Sequence, residues 1–87
     1  MTFRIQRSAK ADVVTFTLSG WIKAEEIAEL QRLFDVEGQD HRIVLDLNEV
    51  KLADRDAVRF LAGCEANGTR IENCPAYIRE WMVREEP

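Results

Sequence analysis

The chain has 87 residues, of which 46% are hydrophobic, and it carries a formal net charge of −4 with two cysteines. This length fits one small domain with a modest core, which we place over residues 1–87. The negative charge and the lack of a basic stripe argue against a nucleic-acid partner, because phosphate backbones are bound by clustered Lys and Arg. No apolar run approaches the roughly 20 residues that span a bilayer. Residues 1–8 are polar rather than signal-like, so we expect a cytoplasmic protein without membrane insertion.

The alternation of hydrophobic and polar residues predicts two strands at the start of the chain. Residues 2–6 form the first strand, residues 7–12 connect it, and residues 13–22 form the second. Gly20 is expected to end the regular part of the second strand. The predicted buried face of that strand consists of Val14, Phe16 and Leu18. Thr15 and Thr17 point the other way, which favours a sheet with one buried face and one partly wet face.

An amphipathic helix and a third strand follow. Residues 24–34 carry apolar side chains at helical spacing, and residues 35–40 are predicted to form a loop. Residues 43–47 then form a strand whose inner side is apolar. Asp46 lies on its outer side, in agreement with an uncovered second face.

The second half of the chain adds two helices and a short strand. After a short polar turn, a helix runs from about residue 54 to residue 66 and ends at Asn67-Gly68, which favours a helix stop. Residues 69–72 form a fourth strand. The last helix covers residues 76–84, with Asn73 as a plausible cap.

The resulting order, β-β-α-β-α-β-α, predicts an α/β domain with a four-stranded mixed sheet and helices packed on one face. Strands that alternate with helices are parallel and joined by crossovers, whereas the first two strands form a hairpin. An exposed edge at the first or the fourth strand could support a homodimer.

The two cysteines, Cys64 and Cys74, indicate neither a disulfide nor a metal site. A structural disulfide is not expected without an export signal. Their spacing matches no zinc motif, and the single histidine, His41, lies in a polar segment. We interpret both cysteines as buried, reduced thiols, and we expect no metal and no cofactor.

The start of the second helix, with Asp54, Arg55 and Asp56, is the best candidate for a functional surface. Exposed backbone N–H groups and the helix dipole favour negative charge at this position. The sequence contains no Gly-rich phosphate loop and no arrangement of nucleophile and base. We therefore expect a protein without enzymatic activity.

Two segments, FTLSGWI at residues 16–22 and IVLDLNEVKLADRDAVRFL at residues 43–61, resemble in order and spacing the STAS domain family. That family includes anti-sigma factor antagonists and the cytoplasmic domains of sulfate transporters. The resemblance extends over nearly the whole chain and implies a STAS-like, anti-sigma-antagonist-like fold. It also implies that the chain works by protein–protein recognition.

The resemblance further implies a role for the start of the second helix. In anti-sigma factor antagonists this turn usually reads Asp-Ser-Ser-Gly, and a serine is phosphorylated by a partner kinase that is also the anti-sigma factor. Residues 54–57 read Asp-Arg-Asp-Ala here, so Asp56 falls on the phosphoserine position and serine phosphorylation is impossible. Three interpretations remain open: helix capping, a partial mimic of phosphoserine, and a partner surface that has changed altogether.

The partner implied by the resemblance is an anti-sigma factor or a related kinase, bound through Asp54, Arg55 and Asp56. The alternative is a soluble STAS accessory subunit of a membrane transporter for lipids or anions. A small enzyme or nucleotide binder is a third class, for which the sequence contains no motif.

Overall fold

The computed structural model describes residues 3–37 and 42–85 of the chain. These residues form four strands and three helices in the predicted order. The elements are β1 (Phe3–Lys10), β2 (Val13–Ile22), α1 (Ala24–Glu37), β3 (Arg42–Ala53), α2 (Arg55–Ala66), β4 (Arg70–Glu72) and α3 (Ala76–Glu85). His41 and Gly38 lie outside the described residues.

The four strands form one mixed sheet in the order β1-β2-β3-β4. β1 and β2 are antiparallel, whereas β2, β3 and β4 are parallel neighbours. This arrangement confirms the predicted α/β class and the predicted sheet. It also brings the carboxyl ends of β2 and β3 to the same edge, where α1 and α2 begin.

A single apolar core lies between the sheet and the helices. The period of two in β2 is confirmed, because Val14, Phe16 and Leu18 are buried while the intervening positions are only half-buried. The helices contribute further large buried side chains: Leu30, Val58, Leu61, Ile78 and Met82. We call this side of the sheet the covered face and the opposite side the open face.

The predicted end of the first strand is wrong, whereas the predicted bounds of the second strand, residues 13–22, are confirmed. β1 continues to Lys10, and only Ala11 and Asp12 form the turn of the hairpin. The expected irregularity at Gly20 is also present, since the register of β2 with β3 shifts between Gly20 and Trp21 before pairing resumes. Gly20 has a φ of 87°, a backbone conformation that glycine adopts without a steric penalty.

The predicted polar connections around β3 are also wrong. α1 extends to Glu37, three residues beyond its predicted end, so that residues 35–37 are helical. The polar turn expected before α2 is absent, since β3 runs without interruption to Ala53. Val50 and Ala53 are buried, so pairing with β2 and burial outweigh the polar composition of this segment.

The start of α3 differs from the prediction, whereas the end of α2 agrees with it. Gly68 has a φ of 100° directly after α2, as a helix stop requires. Asn73 does not cap α3, because the helix begins at Ala76, three residues further along the chain. The side-chain amide of Asn73 donates a hydrogen bond to Asp46 Oδ1 at 3.1 Å, and the carbonyl of Pro75 accepts hydrogen bonds from two backbone N–H groups within α3.

None of the helices among the described residues is long and apolar enough to cross a membrane. The same residues contain no group of three or more His, Cys, Asp or Glu side chains that could hold a metal ion.

Candidate functional site

Asp54 is the N-cap of α2. Its backbone is extended, with φ −85° and ψ 177°, and its Oδ1 accepts a hydrogen bond from the backbone N–H of Ala57 at 2.9 Å. This bond satisfies one of the N–H groups that a helix start leaves without a partner inside the helix. Asp54 therefore stabilises α2 in the manner that the capping interpretation describes.

The second carboxylate oxygen of Asp54 holds the start of the other helix. Asp54 Oδ2 accepts a hydrogen bond from the backbone N–H of Ala24, the first residue of α1, at 3.0 Å. The backbone N–H of Asp54 donates to the carbonyl of Ile22, at the end of β2, at 3.1 Å. One side chain thus joins the beginnings of α1 and α2. The sequence analysis missed this second contact, which depends on the parallel pairing of β2 and β3.

Arg55 points toward the end of α3 rather than standing free. Its Nε donates to Glu85 Oε1 at 2.9 Å, and Arg59 Nε donates to Glu85 Oε2 at 3.3 Å. The indole N–H of Trp81 donates to the same Oε1 at 3.3 Å. Glu85 therefore connects α2 with α3 through two arginines, a contact between residues 30 positions apart that the sequence pattern does not reveal.

The environment of Glu85 favours its charged form. Desolvation acts in the opposite direction and is the largest single influence on its pKa. The hydrogen bonds from Arg59, Arg55 and Trp81, together with the charge of Arg55, outweigh desolvation and hold the pKa of Glu85 below its ordinary value. At neutral pH the carboxylate is ionised and the contact with the arginines is complete.

Asp56 is the one carboxylate of the predicted site that stays available. It lies in the first turn of α2, is exposed, and makes no hydrogen bond or ion pair with any residue in the described ranges. Its charge therefore faces solvent next to the positive end of the helix dipole. Of the three predicted site residues, Asp54 holds the helices, Arg55 binds Glu85, and Asp56 alone presents an unused charge.

The thiols supply no nucleophile for this site. Cys64 and Cys74 are free, and both are half-buried rather than fully buried as predicted. Burial raises the pKa of Cys64 to about 11, and burial also raises the pKa of Cys74. Both side chains are therefore protonated at neutral pH.

No protein-family model and no curated protein matches the sequence. Several solved structures are similar to this chain. The crystal structure of Mglu is similar at 28% identity and a TM-score of 0.61, over 80% of this chain. This chain corresponds to 19% of the length of that one, so the likeness concerns one part of a longer protein.

Two further similar structures are those of anti-sigma factor antagonists. An anti-sigma factor antagonist STAS domain from Rhodobacter sphaeroides is 15% identical with a TM-score of 0.54, over 95% of this chain and 77% of its own. The anti-sigma factor antagonist SpoIIAA in its unphosphorylated form is 14% identical with a TM-score of 0.58, over 91% of this chain and 80% of its own. At this level of identity the likeness establishes the fold. The chain therefore has a STAS-like fold, and the fold that the resemblance implies is confirmed.

Proposed function

We propose that this domain is a regulator of the STAS type that works by binding another protein and has no catalytic activity of its own. The observation that carries the proposal is Asp56, which is exposed at the start of α2 and has no partner among the described residues, in a fold shared with two anti-sigma factor antagonists. The fitting partner is an anti-sigma factor or a related kinase.

In this proposal Asp54, Arg55 and Asp56 have different roles, which follow from the contacts of the first two. Both oxygens of Asp54 accept hydrogen bonds from backbone N–H groups at the helix starts, so that carboxylate has a structural role. Arg55 is bonded to Glu85, and a partner that used it would have to share it with that carboxylate. Asp56 supplies the charge that a partner meets.

Asp56 resembles a phosphoserine only in part. A phosphoserine carries nearly two negative charges and three acceptor oxygens, whereas an aspartate carries one charge and two oxygens. We therefore propose that Asp56 gives the surface a permanent negative charge, weaker than that of a phosphate and independent of any kinase.

Affinity purification of the tagged full chain from its own host tests this proposal. The matched variants are Asp56→Ala and Asp35→Ala, since Asp35 is an exposed aspartate on α1, outside the site. We expect the wild type and Asp35→Ala to retain an ATPase of the anti-sigma factor or kinase type, and Asp56→Ala to lose it. Equal capture by all three folded proteins would contradict the proposal. Recovery of a transporter ATPase and its permease would replace the regulator with a transporter accessory subunit.

A further inference from the structure

We propose that a patch on the open face, at the carboxyl ends of β2 and β3, binds an acidic protein segment with an apolar anchor. The inference rests on the proposed role in protein recognition and adds a second contact to it. The patch consists of Arg4, Trp21, Lys23, Glu49, Lys51 and Leu52.

The apolar part of the patch is formed by Trp21 and Leu52. These two residues are register partners in the parallel pair of β2 and β3, so they lie on neighbouring strands about 4.8 Å apart. The next pair along, Ile22 and Ala53, is buried in the core. Because successive side chains alternate between the faces of a sheet, Trp21 and Leu52 project from the open face. They are 37% and 44% exposed.

Exposed apolar side chains at adjacent positions are a better sign of recognition than the same residues scattered singly. The other large apolar side chains that are well exposed among the described residues are Val36, Tyr77 and Val83. Tyr77 also reaches this end of the sheet, since its hydroxyl donates a hydrogen bond to the carbonyl of Lys51. Tryptophan in particular is enriched among the residues that dominate binding energy at protein interfaces.

The charges around this apolar pair are mainly positive. The ammonium of Lys23 lies 5.2 Å from the centroid of the Trp21 ring, within the range of a cation–π contact. Arg4 and Lys51 border a shallow depression of about 360 Å³ beside the pair, together with Glu49. The patch thus holds three cationic side chains and one carboxylate.

The three cations are not neutralised within the described part of the chain. Arg4, Lys23 and Lys51 form no ion pair with any residue in ranges 3–37 and 42–85. From the residues that the structure describes, Glu49 accepts only a long hydrogen bond, at 3.5 Å, from the side chain of Asn48. The patch is therefore cationic although the chain as a whole has a net charge of −4. Charge complementarity favours a partner segment that places carboxylates beside an apolar side chain.

Selection from a phage-displayed random-peptide library, with the full chain as bait, tests the inference and does not require the natural partner. We expect the selected peptides to combine an apolar or aromatic residue with neighbouring Asp or Glu. The Trp21→Ser/Leu52→Ser double variant should bind them about tenfold more weakly or worse. The Lys23→Glu/Lys51→Glu variant keeps the apolar pair and should lose binding by a similar factor.

The matched control is Val36→Ser/Val83→Ser, which removes two apolar side chains that are 77% and 61% exposed but lie outside the patch. It should bind as the wild type does. Circular dichroism and urea denaturation establish that each variant is folded, and the lysine variant gives an answer even if the Trp21 variant does not fold.

The selection also separates this inference from the proposed function. Basic peptides, no enriched peptides, or equal binding to the patch variants would overturn the inference. If Asp56→Ala weakens peptide binding and the patch variants do not, the docking surface is the start of α2 and not the patch. Peptides that depend on the patch but not on Asp56 would support the inference and count against Asp56 as the contact.

Discussion

The two faces of the sheet consist of the same strands, but only one of them is covered by the helices. On the covered face, Leu18, Leu45 and Leu47 are fully buried. On the open face, the register partners Thr17 and Asp46 are only half-buried. The period of two therefore separates the side chains that form the core from those that remain accessible to solvent. Core residues lie on the covered face, and the accessible residues lie on the open face and at the edge where the helices begin.

The largest effect is expected from a core truncation set against its neighbour in the same strand. Leu18→Ala should lower the free energy of unfolding by about 3 kcal/mol, because it removes apolar contacts and leaves a cavity. Thr17→Val, one position away on the open face, keeps a β-branched side chain and should change it by less than about 0.5 kcal/mol. Urea denaturation measures both. Similar losses in the two variants would show that the open face is covered in solution.

The next effect concerns the edge between the faces. Asp54→Ala should cost about 1–2 kcal/mol, since the side chain caps α2 and also accepts the N–H of Ala24. Hydrogen exchange should speed up at the amides of both Ala24 and Ala57. Faster exchange at Ala57 alone would mean that α1 does not depend on Asp54. Asp54→Asn, which keeps one carbonyl oxygen as an acceptor, should fall between the wild type and Asp54→Ala.

Periodicity in the sequence was sufficient to predict the class, the order of elements and the buried face of β2. Val14, Phe16 and Leu18 alternate with polar residues, and burial follows that alternation directly. The ends of β1 and β3 were not predictable in the same way. Val50 and Ala53 stay in β3 because β2 pairs with them and the core covers them, and neither partner is visible in a local window of sequence.

The contacts of the candidate site were also only partly predictable from the sequence. The cap at Asp54 follows from a residue type at a helix start, so the sequence could indicate it. Its bond to Ala24 depends on two parallel strands that end side by side, which no local pattern specifies. The contact of Arg55 with Glu85 joins the first turn of one helix to the last turn of another. Such contacts depend on packing angles between helices, and composition at either position carries no signal for them.

A smaller effect, with a defined dependence on pH, is expected at Glu85. Its pKa is lowered in the folded protein, so its ionised form stabilises the fold at pH values above its ordinary pKa of about 4.5. That contribution should be lost as pH falls through the lowered value. Glu85→Gln should therefore be less stable than the wild type at pH 7, and the difference should shrink below about pH 4. Urea denaturation across this range measures it, and a difference that grows on acidification would contradict the assigned contacts.

The smallest effect on stability is expected at Asp56, two residues from the side chain that holds both helices. Its exposed carboxylate interacts favourably with the helix dipole, so Asp56→Ala should cost about 0.3–0.5 kcal/mol and less at high salt. A loss comparable to that of Asp54→Ala would reveal a structural contact for Asp56. The small expected cost is what makes this residue informative for function. If Asp56→Ala unfolds at nearly the same urea concentration as the wild type, any loss of partner binding reflects the missing charge at the surface rather than a weakened fold.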